Sequence, residues 1–413
     1  MKIAIITRDT RGGVQPYVAL GVGLQAAGHD VRMVATADFA PMFEQAGLTL
    51  SPVPGDSREE MTSVASMTEV SPIANMRRAA AMTGSRTKQW TKDTLAASEG
   101  AELLTGGIGG MLMGLSVAEK LGVPFVPTHL QPVDAPTSRY PGVLLPNVPA
   151  WMGGAGRIAS HRLSNLALWK PFERPMMAAR REVLGLSGRP TAALGQPVLY
   201  GFSRHVVDLP PEANPLGQVT GYWFADTPSD WSPPTDLSGF LAAGSPVVSI
   251  GFGSMAAADA ASLTSVVRRA ARAAGVRAVL LTGWGGLEGA ASDDDVFVTE
   301  SVPHDWLFSR VDATVHHGGA GTTGAALRAG RPTVVVPFTV DQPFWGGRAH
   351  ALGAGPMPIP RKRLTADGLA AALRQAVGDS RMRARADEIG RLIRAEDGVA
   401  RAVEAFGRVA SRV

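Results

Sequence analysis

"DATVHHGGAGTTGAALRAGRPTVVVPFTVDQ", residues 312–342, decides the fold. An apolar run ends in two histidines and enters a glycine-rich turn. A short helical pattern follows and closes at Gly330, and Pro332 keeps it from continuing. A second apolar run then leads to Asp341 and Gln342. Strand, glycine turn, helix, strand is the repeating unit of a parallel sheet. The turn lets backbone N–H groups approach a ligand, and the helix start adds unpaired donors and the positive end of its dipole. The pattern predicts an anion site suited to a diphosphate. Thr322 and Thr323 stand where the helix is expected to start, with hydroxyls able to cap it or to bind phosphate. Neighbouring side chains on a strand point to opposite faces. His317, next to the turn, is therefore the expected donor and His316 the structural residue. A carboxylate beside an amide, Asp341-Gln342, suits sugar hydroxyls, which both donate and accept.

The same pattern recurs along the chain. "KIAIIT" (2–7), a glycine-bearing loop, a helix with Tyr17, Leu20, Gly21 and Leu24 on one face, and "DVRMVAT" (30–36) form a β-α-β unit. "PFVPTH" (124–129) reads as a later strand of that sheet, and "LLTGGIGGMLMGLSVA" (103–118) as a loop feeding a helix. A second unit begins with "SPVVSIGFGS" (245–254), a helix over 259–275 and the strand "RAVLLTG" (277–283). The expected fold is therefore α/β, with two doubly wound domains facing across a cleft. The boundary is placed near 215: residues 1–215 form the N-terminal domain and 216–413 the C-terminal one. The Pro- and Ser-rich stretch 226–246 reads as a linker or surface excursion. The charged segment 381–412 is read as helical, with Ile389, Leu392, Ile393 and Val399 as its apolar face.

A length of 413 residues suits about two domains. A net charge of only +4, without a basic stripe, gives no nucleic-acid footprint. With no cysteine, disulfides, thiolate metal sites and cysteine nucleophiles are excluded. No signal peptide or spanning segment is recognised, and a cytoplasmic protein without stable membrane insertion is expected. "GFGSMA" (251–256) fits a dinucleotide fingerprint, but the following strand lacks the ribose-binding acid at its end, which argues against a nicotinamide enzyme. The remaining reading is a phosphate-approaching loop with Ser254 as a hydroxyl donor. "DDD" (293–295) reads as a solvated turn and not as a metal motif. The basic stretch 77–92, around Trp90, reads as an acceptor loop with a cationic face. Six methionines between 61 and 113 suggest an adaptable apolar acceptor pocket.

Residues 301–355, together with "RGGVQPYVALGVGLQAAGHDVR" (11–32), resemble the nucleotide-sugar-dependent glycosyltransferases of the GT-B fold. The likeness is to the bacterial branch that includes sterol and macrolide glycosyltransferases. It implies that His317 contacts the donor diphosphate and that Gly319, Gly321 and Thr322 form the phosphate cradle, with Ser254 nearby. It implies that Val302, through its backbone, and His304 read the nucleobase, and that Asp341 and Gln342 hold sugar hydroxyls. It further implies inverting, metal-independent chemistry and no cofactor beyond the donor, UDP-glucose or a dTDP-sugar. A terminal helix, about 390–413, is expected to cross back to the N-terminal domain. The acceptor is expected to be a lipophilic hydroxyl compound: a sterol, terpenoid, flavonoid or polyketide.

One departure from the family pattern stands out. The first loop usually carries an aspartate base where this chain has Gly13, and Asp9 stands four residues earlier. A general base must come within hydrogen-bond reach of the hydroxyl it activates. Asp9 leaves the same strand end and is taken as that base. Alternatives are an acceptor acidic enough to need none, His129, or a nucleotide-sugar-binding auxiliary protein with weak or no catalysis.

Overall fold

The computed structural model describes residues 1–56, 72–227, 231–244, 246–253, 260–283, 287 and 291–411, with the side chains of 72–83 and 85 left aside. Two compact units emerge. The first comprises residues 1–204, 208–225 and 397–413, the second 205–207 and 226–396.

The first unit is a seven-stranded parallel sheet ordered β3-β2-β1-β4-β5-β6-β7. Its strands are β1 (Lys2–Ile6), β2 (Asp30–Thr36), β3 (Thr49–Val53), β4 (Leu103–Gly106), β5 (Phe125–His129), β6 (Val198–Tyr200) and β7 (Gly217–Val219). Helices α1 (Arg11–Ala26), α2 (Ala40–Gln45), α3 (Pro72–Ala97), α4 (Ile108–Leu121) and α5 (Gly153–Glu182) supply the connections. Ile3, Ile5 and Ile6 of β1 are buried, as expected of a central parallel strand covered on both faces. β1 pairs with both β2 and β4, so the strand order reverses there.

The second unit is a five-stranded parallel sheet ordered β10-β9-β8-β11-β12. Its strands are β8 (Val247–Gly251), β9 (Arg277–Leu281), β10 (Val296–Thr299), β11 (Ala313–His316) and β12 (Thr333–Val335). The helices are α6 (Thr235–Ala242), α7 (Ala260–Ala274), α8 (His304–Phe308), α9 (Ala320–Arg328), α10 (Gln342–Ala351), α11 (Ala366–Gly378) and α12 (Ser380–Arg394). Its reversal lies between β8 and β11. Ligands of such sheets bind beyond the carboxyl ends of the strands at the reversal.

Several expectations are corrected. The division falls after Ala225 and not near 215, because β7 pairs with β6 in the first sheet. Stretch 226–246 contains helix α6, anchored by the buried Leu237. Residues 103–106 are a strand and not a loop. Stretch 77–92 lies within helix α3, where Trp90 is buried beneath the Arg8 guanidinium, 3.4 Å from ring centroid to Cζ. Lys88 pairs with Glu182. The terminal segment is two helices. α12 buries Ile389 and Ile393 while Leu392 is exposed, and the chain breaks at Asp397, whose carboxylate accepts from Ala400 N and caps α13 (Gly398–Ala410). Only α13 belongs to the first unit, where it packs on α1, and a Cβ at Gly23 would overlap Val399. Met61, Met67, Met76 and Met82 lie outside the described side chains; Met111 and Met113 are buried on α4. Among the described residues no helix is long and apolar enough to cross a membrane.

Ala402, Ala405, Phe406 and Val409 give α13 a buried face at helical spacing. Phe406→Ala is expected to destabilise the first unit by about 3–5 kcal/mol, read as an earlier urea transition, with His350 and other reporters of the second unit unmoved.

Candidate functional site

Strand β11 ends at His316, and a turn through Gly318 (φ 93°) leads into α9. The two histidines part as their alternation dictates. His316 is buried: its Nδ1 accepts from Gly318 N at 3.0 Å, which leaves the proton on Nε2, 2.5 Å from Thr333 Oγ1. Burial, with repulsion from His317 and His304, holds it well below the ordinary histidine range, so it stays neutral and braces the turn. His317 turns its ring between two loops. A Cβ at Gly253 would lie 3.1 Å from its Cε1, and one at Gly319 2.6 Å from its Nε2. Glycine at these positions is what leaves room for the ring. His317 Nδ1 is buried without a partner. Burial first, then the charge of His304, brings its pKa down to about 4.

Helix α9 begins at Ala320, one turn earlier than the sequence pattern suggests, with Gly319 at its N-cap and no side chain capping it. The first-turn N–H groups are therefore offered outward. Gly321 and Thr322 fall in that turn, half-buried. Thr323 is fully buried and its hydroxyl has no hydrogen-bond partner. Buried polar atoms are nearly always satisfied. The two orphans stand beside an uncapped helix start, at the carboxyl edge of a sheet reversal, where ligands of such sheets bind. Ser254 lies outside the described residues.

Val302 is buried in the apolar core of the second sheet, so only its backbone is available to a ligand. His304 opens α8 with its ring stacked on Phe308 at 4.5 Å. Asp341 and Gln342 follow β12. Gln342 Oε1 accepts from Phe338 N (2.7 Å) and Thr339 N (3.0 Å), so the amide oxygen fixes the loop. Asp341 Oδ2 accepts from Trp345 Nε1 at 2.9 Å, one helical turn on. Val340, immediately before this pair, sits at φ 53°. A β-branched residue there is strained, and such strain concentrates at ligand sites. Residue type gives no warning of it, whereas the Asp341–Trp345 contact was readable from its i,i+4 spacing.

In the first unit Asp9 lies in the short loop between β1 and α1 and is exposed. Its Oδ1 accepts from Thr10 N at 2.6 Å. A Cβ added to Gly13 would overlap the Asp9 carboxylate carbon and both its oxygens. The carboxylate thus occupies the space a side chain at position 13 would take. Tyr17, one turn further along α1, donates to Thr128 O at 2.7 Å, and burial pushes its phenol upward, Asp9 adding to the shift. His129, at the end of β5, is fully enclosed with neither ring nitrogen bonded, and burial lowers it to about 4. Asp9 is exposed where His129 is enclosed.

Among the described residues no cluster of three or more His, Asp or Glu could hold a metal. Asp293 forms a turn, accepting from Asp295 N and Val296 N, and pairs with Arg268.

Comparison with known proteins agrees with this layout. Residues 3–135 match the family description "Glycosyltransferase family 28 N-terminal domain", and 288–401 match "Erythromycin biosynthesis protein CIII-like, C-terminal domain". A sterol 3-beta-glucosyltransferase of Penicillium rubens is 36% identical over 428 residues, covering 99% of this chain and 30% of the relative. One from Aspergillus fumigatus is 35% identical over the same span, again covering 99% of this chain and 30% of the relative. The fold is that of the GT-B glycosyltransferases. The chain spans about 30% of the length of these curated relatives. The solved glycosyltransferase VinC in complex with DTDP superposes with a TM-score of 0.69 at 19% identity, covering 100% of both chains. The glycotransferase of kitacinnamycin superposes with 0.72 at 19% identity, covering 98% of each. Both are likenesses of fold.

An imidazole held neutral by burial should respond to a bound dianion. His317 is expected to titrate near 4 in the free protein and to rise when UDP or dTDP binds, because the anion favours the protonated ring. NMR titration of the ring protons checks this, and His316 should not move.

Proposed function

We propose that this chain transfers a hexose, most simply glucose, from a UDP- or dTDP-sugar to the hydroxyl of a lipophilic small molecule of the sterol, terpenoid, flavonoid or polyketide kind, with inversion at the anomeric carbon. The observation that carries the donor half is the uncapped start of α9 flanked by His317 Nδ1 and Thr323 Oγ1, both buried without partners. Backbone donors, a helix dipole and an imidazole suit a diphosphate leaving group. That charge is met without assigning any step to a metal. Val302 and His304 would border the nucleobase, and Asp341, presented by the strained turn at Val340, the sugar hydroxyls. Gln342 would contribute by holding that turn. The names of the sterol 3-beta-glucosyltransferase relatives support the acceptor class. A cytoplasmic location is part of the same reading.

In the transfer, Asp9 takes the proton of the acceptor hydroxyl, and the oxygen attacks the anomeric carbon. The bond from that carbon to the diphosphate oxygen breaks, and the diphosphate leaves with the electron pair. Displacement from the opposite side inverts the centre. The alternative of a non-catalytic binder rested on Gly13, and it weakens because the Asp9 carboxylate fills the space beside that glycine.

Incubation with UDP-glucose or dTDP-glucose and a panel of sterols and phenols is expected to give acceptor-dependent release of the nucleoside diphosphate. No release with any acceptor would leave only the binder, and release that ignores the acceptor would mean hydrolysis of the donor and not transfer. Asp9→Asn is expected to lower turnover of weakly acidic alcohols by ~10²–10⁴-fold with donor affinity unchanged. Gly13→Asp alone should also impair turnover, since its side chain collides with Asp9. The exchange Asp9→Gly with Gly13→Asp should restore much of it. Unchanged alcohol turnover by Asp9→Asn would remove Asp9 from the mechanism.

A further inference from the structure

Helix α5 carries an unusual outer face. Of the eleven large hydrophobic residues exposed among the described ones, five fall between 145 and 166: Leu145, Trp151, Met152, Leu163 and Leu166. Trp151 is 85% exposed, Leu163 53% and Leu166 56%. Burial of such side chains is the ordinary outcome, and a cluster of them rimmed by polar groups marks an interaction surface. The geometry makes the cluster continuous. Ala155, Ala159, Leu163 and Leu166 recur at helical spacing, all are exposed, and Trp151 and Met152 stand at the helix entry. Leu145 is held beside the helix by the turn at Gly142, whose N–H donates to Ser160 Oγ at 2.8 Å.

The charges within this stretch of sequence have one sign. From residue 135 to 172 the sequence contains no Asp or Glu but has Arg139, Arg157, Arg162 and Lys170. Arg139 is paired with Asp208 and Lys170 with Glu173. Arg157 and Arg162 make no ion pair among the described residues, and Arg162 lies on the exposed face next to Leu163. An apolar helix face with Trp at its end and Arg162 at its flank is the pattern of a helix that lies in a membrane interface. There, acyl chains take the apolar side and anionic headgroups the cations.

We propose that the outer face of α5, with Trp151 and Leu145, docks this protein reversibly on the surface of an anionic lipid bilayer, without insertion of a spanning segment. The inference does not need the acceptor to be a lipid. If it is one, docking would bring the first unit to the phase in which such an acceptor dissolves.

The test is co-sedimentation with vesicles of phosphatidylcholine, with and without phosphatidylglycerol. The wild-type protein is expected to sediment with the anionic vesicles, less with neutral ones, and less again as salt is raised. The variant Trp151→Ser/Leu163→Gln/Leu166→Gln should bind anionic vesicles at least about tenfold more weakly. Arg162→Gln should weaken binding and flatten its salt dependence. Since all four side chains are exposed, thermal unfolding should be unmoved, and turnover of a water-soluble phenol should equal that of wild type. Equal vesicle binding by wild type and triple variant overturns the proposal, as does absence of binding to anionic vesicles. So does a dimer that the triple variant dissociates in the absence of any lipid binding, which would make the face a contact between copies. Vesicle binding is read without donor or acceptor, so its outcome stands apart from the success or failure of the glycosyl-transfer assay.

Discussion

A parallel sheet that reverses its strand order leaves two neighbouring loops diverging at its carboxyl edge, and whatever fills that gap decides what the domain can bind. In the second unit the gap lies between β8 and β11, and it is filled by one imidazole. Small residues on both sides, Gly253 and Gly319, allow the His317 ring to stand there. The tautomer of His316 locks the turn from behind. Everything else in the cradle follows from that placement: an uncapped helix start in front, an orphaned threonine hydroxyl beneath, and a strained valine turn at the side. Buried polar atoms lack partners elsewhere too, His129 among them; what sets this place apart is that two of them flank a helix start with no side-chain cap.

The first unit solves the same topological problem with a different chemical outcome. At the β1–β4 reversal the exposed group is a carboxylate. It comes from the loop after the strand and not from the first turn of the helix. Position 9, in the loop after β1, and position 13, in the first turn of α1, reach the same volume, so only one of them can carry a side chain of any size. In the proposed transfer this is the volume that holds the proton acceptor, and the chain has more than one place from which to fill it.

Much of this was legible in the sequence because the periodicities were strong. The β-branched runs at 3–6, 31–34, 247–250 and 333–336 read as buried strands, and the glycine turns between strand and helix located the loops that matter. The alternation rule separated His316 from His317, although only the hydrogen bonds to Gly318 and Thr333 show what His316 does. What stayed hidden depended on tertiary placement. Val340 disfavours the conformation it adopts, so no propensity argument finds it. Gln342 looks like a ligand-facing amide until its oxygen is seen bound to its own loop. Residues 77–92 read as a basic loop because the sequence cannot show that Trp90 is buried beneath Arg8. The pause at Asp397 was missed because an N-cap within a charged helical stretch looks like one more surface carboxylate.

That pause has a consequence for how the protein is made. The first unit is assembled from both ends of the chain, with α13 lying on α1 across nearly four hundred residues of sequence. During synthesis the opening β-α-β units emerge early, but the groove that receives Phe406 and Val409 stays uncovered. The second unit, contained almost entirely within 226–396, needs no residue beyond 396, whereas the first waits for α13. Order of emergence and order of completion are thus inverted: the domain that begins first finishes last.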